Sequence, residues 1–325
     1  MSISSKGTSN FNEKDTSLPL VDDFLLNLQT NNYSIETVYN YERDLMVFEN
    51  FLFEENLEFK NISKKNLINY KAYLTSRDRK TALDESPTKC LKSSSSNRML
   101  SALRSYVRFL ADMDYPSPIS AENIKIGKTE KKHPQVAEFE DLVRLIECPR
   151  NFEKDKKVGL RNQTMLETLF STGMRISELV NLKREQIDKS GKIFILGKGK
   201  KERFVYLTSR AKKILDEYLR TRKDTLPYLF IPYRGRNSGE KNKKISTNYL
   251  QYKIKKYREM LGINVPTSAH SLRHGFATYL AENGANPAAL QILLGHESLD
   301  TTTRYVHASD RYAEETHRRY HPLDS

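Results

Sequence analysis

The 325 residues include 54 lysines and arginines against 41 aspartates and glutamates, a formal charge of +13, with 38% hydrophobic residues. That apolar share excludes a wholly disordered chain, and the length suits two domains. No run of 18 apolar residues suggests a membrane span, Met1 to Asp15 lack the apolar core of a secretory leader, and Cys90 and Cys148 are too few for a disulfide framework or a four-thiolate zinc site. The expectation is a cytoplasmic protein. Its basic excess favours polyanions, nucleic acid first, although a solvated lysine-rich surface explains the same balance. An anionic membrane surface fits less well, because no basic amphipathic anchor helix is legible.

Residues 1–17 are rich in Ser, Thr, Asn and Lys without periodicity and read as a loose tail. Val21, Phe24, Leu25 and Leu28 then recur at helical spacing. Ser34 reads as the N-cap of a second helix through Thr37, Val38, Tyr41, Leu45, Phe48 and Leu52. Ser63 reads as the cap of a third, through Leu67, Tyr70 and Leu74. Residues 77–96 are polar, contain Pro87, end in Ser93 to Ser96, and read as a loop. A fourth helix carries Met99, Leu103, Val107 and Leu110, with Arg98, Arg104 and Arg108 among them. The four helices make a small basic domain over 18–113.

Residues 114–133 hold Pro116, Pro118 and a lysine-rich stretch, and read as a linker. It either follows a phosphate backbone or is a plain soluble connector. The second domain, 134–325, reads as helices at 138–147, 160–172 and 176–183, then a hairpin of 192–196 and 203–207 around a Gly-rich turn. Helices follow at 209–222, 246–261, 271–283, 287–294 and 298–307, with Pro287 in a first turn. The fold class is mainly α with one small β-hairpin, in two domains.

Chemistry-bearing residues concentrate in this second domain. Arg175 precedes a short helix, Lys198 sits between Gly197 and Gly199, and His270 and Arg273 open a helix. His296 follows Leu294-Gly295, and Tyr305 follows Arg304. Two arginines far apart in sequence suit one phosphate held from two sides, since each guanidinium donates a planar fork and keeps its charge. Either alone reads as a surface or ion-paired residue. His270 and His274 share a helical face. Position 271 is Ser, not the Glu of a zinc-protease helix, so no metal site is read there and His274 reads as a capping or core residue.

The ordered set Arg175, Lys198, His270-x-x-Arg273, Leu294-Gly295-His296 and Tyr305, with nine residues from His296 to Tyr305, resembles the tyrosine recombinases of the phage integrase family. The matching stretches are Thr172 to Leu179, Gly197 to Arg203, His270 to Thr278, Leu293 to His296 and Thr301 to Tyr305. The likeness is nearest the Xer subgroup. It implies the architecture of that family: a helical, SAM-like core-binding domain ahead of a mostly helical catalytic domain. The 77–96 loop and the first 17 residues depart from the Xer pattern, and the choice of Lys198 over Lys200 rests on the resemblance.

The resemblance further implies cleavage and rejoining of DNA through a covalent 3′-phosphotyrosine, with no cofactor, metal or ATP. Tyr305 would be the nucleophile; a phenol with a pKa of about 10 needs activation. Arg175 and Arg273 would bind the non-bridging oxygens and His296 would donate to the same phosphate. His270 would be the general base, Lys198 the acid for the leaving 5′-oxygen, and Glu178 a supporting carboxylate. Arg98, Arg104 and Arg108 would meet DNA, chiefly its phosphates. The implied partners are duplex DNA at an inverted repeat, and three further protomers in a homo- or heterotetramer joined head to tail by the segment 309–325. A septal DNA translocase is a further implied partner, and the location a nucleoid-associated cytoplasmic one. An integrase of a mobile element, a type IB topoisomerase-like enzyme that relaxes DNA as a monomer, and a non-enzymatic DNA binder are the competing readings.

Overall fold

The computed structural model describes residues 18–76, 90–128, 137–196, 202–235 and 243–295. The chain divides into two compact units, Met1–Lys132 and His133–Ser325.

In the first unit, local caps set where helices begin. Helix α1 (Val21–Thr30) leads to α2 (Ile35–Glu54), whose N-cap Ser34 accepts a hydrogen bond from the Thr37 N–H. Helix α3 (Lys64–Thr75) starts with a reciprocal box between Ser63 and Asn66. These helices bury an aromatic core that includes Phe24, Phe48, Phe51, Tyr70 and Tyr106, with the Phe48 and Tyr70 rings edge to face at 4.7 Å.

Helix α4 spans Ser93–Asp112 and so begins inside the stretch expected to be a loop. The four serines add no apolar signal, yet the buried stripe of Met99, Leu100, Leu103, Tyr106, Val107 and Leu110 nucleates a helix that propagates back over them. Ser95 and Ser96 N–H groups both bond the Lys92 carbonyl, and Ser96 faces the core. Residues 77–89 of the expected loop lie outside the described residues. Within the expected linker, Ile119, Ala121 and Ile124 are buried in the first unit's core. The Asn97 side chain also exchanges two hydrogen bonds with Gly127, at 2.8 and 3.0 Å.

The second unit is arranged around α7 (Lys156–Thr172), which is buried on most of its surface, as a central helix must be. Before it come α5 (Phe139–Glu147) and the single turn α6 (Pro149–Phe152). After it come α8 (Ile176–Asn181), strands β1 (Lys192–Leu196) and β2 (Glu202–Tyr206), then α9 (Ser209–Thr221), α10 (Thr247–Met260), α11 (Ala269–Glu282) and α12 (Pro287–Leu294). Helices α9 and α11 pack on α7. The strands pair antiparallel, with Ile193 opposite Val205 and Ile195 opposite Arg203. Ile193, Ile195, Val205 and Arg203 are the inward residues of this hairpin, and all four are buried.

Polar groups buried on α7 are paired, as their desolvation requires. Arg161 donates to the Ile231 carbonyl at 2.9 Å, Asn162 to the Tyr257 hydroxyl at 2.7 Å, and Glu167 accepts from Arg210 at 3.0 Å. The helix expected over 298–307 and the segment 309–325 lie outside the described residues.

Candidate active site

Three chain reversals carry the site. Helix α7 ends at Gly173, in the left-handed region at φ 61°, and the chain turns into α8 within three residues. A Cβ at Gly173 would lie 2.3 Å from the Phe276 ring, so the turn can pass α11 only without a side chain. Arg175 is the N-cap of α8, and its backbone N–H donates to the Glu178 carboxylate at 2.7 Å. Helix α11 opens with a reciprocal Ser268–Ser271 cap, which sets His270 and Arg273 on its first turns. Helix α12 ends at Gly295, φ 63°.

The two arginines converge on the end of α12. Arg273, 4% exposed, donates to the Gly173 carbonyl at 2.8 Å and to the Leu294 carbonyl at 2.6 Å. Arg175 donates to the Gly295 carbonyl at 3.1 Å and to Glu178 at 3.1 Å. His270 lies close enough to feel both. Burial first, then the charges of Arg273 and Arg175, hold its imidazole below the usual histidine range, so the neutral ring is favoured. Its Nε2 is 2.8 Å from Nε2 of His274, a contact in which one ring donates and the other accepts. His274 is therefore a direct neighbour of His270 rather than only a capping or core residue.

Glu178 is the counter-charge. Burial pushes its carboxyl up, but hydrogen bonds from Arg203 and the Arg175 N–H, with the charges of both arginines, outweigh this and hold it below the usual carboxylate range. Arg203 makes a two-pronged bond to it, at 2.9 and 2.7 Å. Sequence reasoning assigned Arg203 no role. The available signal was alternation: an arginine on the inward face of β2, beside Val205, is a charge that needs a buried partner.

Arg175 and Arg203 meet one carboxylate, and Arg273 lies with Arg175 beside His270, a cluster of fixed positive charge suited to a tetrahedral or pentavalent phosphate. Arg175, Glu178, His270 and Arg273 are thus brought together. Lys198, His296 and Tyr305 lie outside the described residues. In the first unit, Arg98 pairs with buried Asp44 at 2.6 Å and Arg104 donates to the Ala121 carbonyl at 3.2 Å, so both have partners inside their own domain. Arg108 is exposed on α4.

Comparison with known proteins places both units in one family. The Phage integrase family matches residues 135–311, and the Phage integrase N-terminal SAM-like domain matches 21–113. Tyrosine recombinase XerC of Leptospira interrogans is 32% identical over 296 residues, 90% of this chain and 89% of its own. Tyrosine recombinase XerC of Pelobacter propionicus is 34% identical over 307 residues, 92% of this chain and 94% of its own. The XerH site-specific recombinase bound to difH substrate, a pre-cleavage complex, shares the fold with a TM-score of 0.68 at 23% identity, over 91% of this chain and 82% of that one.

The two family matches together cover both units and make the chain a DNA breaking and rejoining enzyme of the tyrosine recombinase type. The chain belongs to the phage integrase family, among its Xer-like tyrosine recombinases. Its reaction is site-specific recombination, in which a tyrosine holds the cut strand covalently and neither metal nor ATP takes part.

Proposed function

We propose that this recombinase acts in the Xer manner, resolving dimers of a chromosome or plasmid at an inverted-repeat site. Arg175, Lys198, His270, Arg273, His296 and Tyr305 are its catalytic residues, with Glu178 in support. His270 takes the proton of the Tyr305 hydroxyl as the phenolate oxygen attacks the scissile phosphorus. The P–O5′ bond breaks, and Lys198 gives a proton to the leaving 5′-oxygen. Arg175 and Arg273 carry the charge on the non-bridging oxygens, and His296 donates to the same phosphate. The reverse attack by a 5′-hydroxyl on the phosphotyrosine reseals a strand, because the adduct keeps the energy of the broken diester.

The observation that supports this most is the convergence of Arg175 and Arg273 on adjacent carbonyls, Gly295 and Leu294, beside a histidine disposed to stay neutral. A base must be deprotonated to act, and the two arginines favour that form while awaiting an anion. Four protomers assemble on two sites, as a homo- or heterotetramer, and a septal DNA translocase activates the assembly. The first unit meets the backbone of the duplex through α4. The site of action is the nucleoid in the cytoplasm.

The test is a nicked suicide duplex carrying a candidate inverted repeat, run on denaturing gels with wild type and Tyr305→Phe. A covalent adduct made only by the wild type is expected. Adduct formed indifferently on unrelated duplexes points to a relaxing topoisomerase, and tight binding without adduct on any duplex counts against the enzymatic reading.

A further inference from the structure

We propose that Arg203 is a positioning residue for strand cleavage, acting through Glu178 to hold three separate segments of the site in register; this rests on the recombinase reading above. One side chain joins all three. Its Nη1 and Nη2 donate to Glu178 Oε1 and Oε2 at 2.9 and 2.7 Å, fixing the α8 end that carries Arg175. Its Nε donates to the Leu293 carbonyl at 3.0 Å, fixing the end of α12 that runs into His296. Its own backbone is the second residue of β2, the strand that leaves the connection holding Lys198.

The packing is as close as a side chain allows. A Cβ at Gly295 would stand 3.1 Å from Arg203 Cδ and 3.2 Å from Nε and Nη1. Arg203 is 8% exposed, and its Nε, Nη1 and Nη2 are all committed to the Leu293 carbonyl and Glu178. Glu178 in turn accepts from the Arg175 backbone and guanidinium. The Arg203 fork therefore fixes both carboxylate oxygens, and through them the direction of the Arg175 guanidinium. A lysine supplies a point charge but no planar fork, so it holds one oxygen and leaves the other to turn. Neither oxygen is then fixed relative to α12.

The measurement uses a nicked suicide duplex obtained by selecting a randomised inverted-repeat library with the Tyr305→Phe protein. Single-turnover adduct formation at saturating protein, DNA affinity and the pH profile of cleavage are compared for wild type, Arg203→Met, Arg203→Lys, Glu178→Gln and the Arg203→Met/Glu178→Gln double variant. Arg203→Met is expected to slow cleavage on the order of 10²-fold, the usual cost of a small misplacement, with DNA affinity kept. Arg203→Lys recovers part of the rate. In both, Glu178 loses hydrogen bonds that keep it ionised and takes a proton at higher pH, which adds a second acid limb to that of His270. In the Glu178→Gln background Arg203→Met adds little, since both act on one carboxylate.

Wild-type rates in Arg203→Met, full additivity with Glu178→Gln, or a rate loss that only follows the loss of folded protein with an unmoved pH profile each overturn the proposal. Should Arg203→Met fail to fold, Arg203→Lys and its double with Glu178→Gln carry the same comparison, and a wild-type profile there overturns it. Absence of adduct from the wild-type protein on every selected duplex is a separate result, which overturns the recombinase reading and this proposal with it.

Discussion

Arg175 and Arg273 donate to consecutive carbonyls at the end of α12, Gly295 at 3.1 Å and Leu294 at 2.6 Å, although they enter the site from different helices. The difference between them is burial. The Arg175 side chain is 39% exposed and its partners include a carboxylate, whereas Arg273 is 4% exposed and bridges two backbone carbonyls. Arg175 ties α8 to α12 from a partly exposed position, whereas Arg273 ties α7 to α12 from within the core.

Lysine at either position should therefore separate the two roles. Arg175→Lys and Arg273→Lys are each expected to slow adduct formation by about 10²–10³-fold, the usual loss for one charge-stabilising donor. Arg273→Lys should also lower stability more than Arg175→Lys does, by about 1–3 kcal/mol, because one compact ammonium does not span the two buried carbonyls that Nη1 and Nη2 reach separately. Thermal or denaturant unfolding beside single-turnover cleavage checks this. Equal stability losses in the two variants contradict the division.

The histidine pair sets the acid side of the reaction. His270 is held below the usual histidine range by burial and by Arg273 and Arg175, so it stays neutral down to a pH under its ordinary value of 6.5. The rate of adduct formation at limiting protein reports groups of the free enzyme. Its acid limb should have a midpoint below pH 6.5, as His270 takes a proton. His274 shapes this through its 2.8 Å contact, because two doubly protonated rings cannot share it. His274→Phe removes that partner and should change the acid limb without abolishing cleavage. An acid limb above pH 6.5 in the wild type contradicts the assignment.

Asp44 gives the first unit an unusual pH response. Burial pushes its carboxyl up to about 6 from 3.8, with Arg98 opposing. The folded chain then binds more protons than the unfolded chain between those values, so this group's contribution to stability falls as pH rises from about 4 to 6. A rise from 3.8 to about 6 bounds the effect at about 3 kcal/mol. Asp44→Asn removes it. Denaturant midpoints at pH 4.5 and 7 should show the wild type gaining on the variant at the lower pH, and a constant difference sinks the account.

Local chemistry was legible in the sequence and distant pairing was not. Ser34 and Ser63 cap helices through atoms three residues away, so their hydroxyls announce the helix starts. The start of α4 was hidden, because Ser93 to Ser96 give no apolar period and depend on the stripe that follows. Ile119 and Ile124 sit among prolines and lysines yet pack in a core formed by residues far away in sequence. The pairing of Arg98 with Asp44 joins residues on two helices and was likewise out of reach. The ordered motif located Arg175, His270 and Arg273, but the fork of Arg203 on Glu178 and the Nε2 contact of His274 belong to the folded chain.

Gly173 joins the fold to the chemistry, and its replacement tests the link. Its φ of 61° disfavours any Cβ, and a Cβ there would meet Phe276 Cδ1 at 2.3 Å and Cε1 at 2.6 Å. Gly173→Ala should destabilise the chain on the order of 2 kcal/mol or more, from backbone strain and overpacking together. Phe276→Leu relieves the overpacking but not the strain, so the double variant should recover part of the loss and show non-additive coupling. Cleavage should fall in the same variants even where they remain folded. The Gly173 carbonyl receives Arg273 at 2.8 Å, and Arg175 lies two residues on, so a displaced turn moves both guanidinia. A folded Gly173→Ala protein that cleaves at the wild-type rate breaks this connection between the turn and the phosphate site.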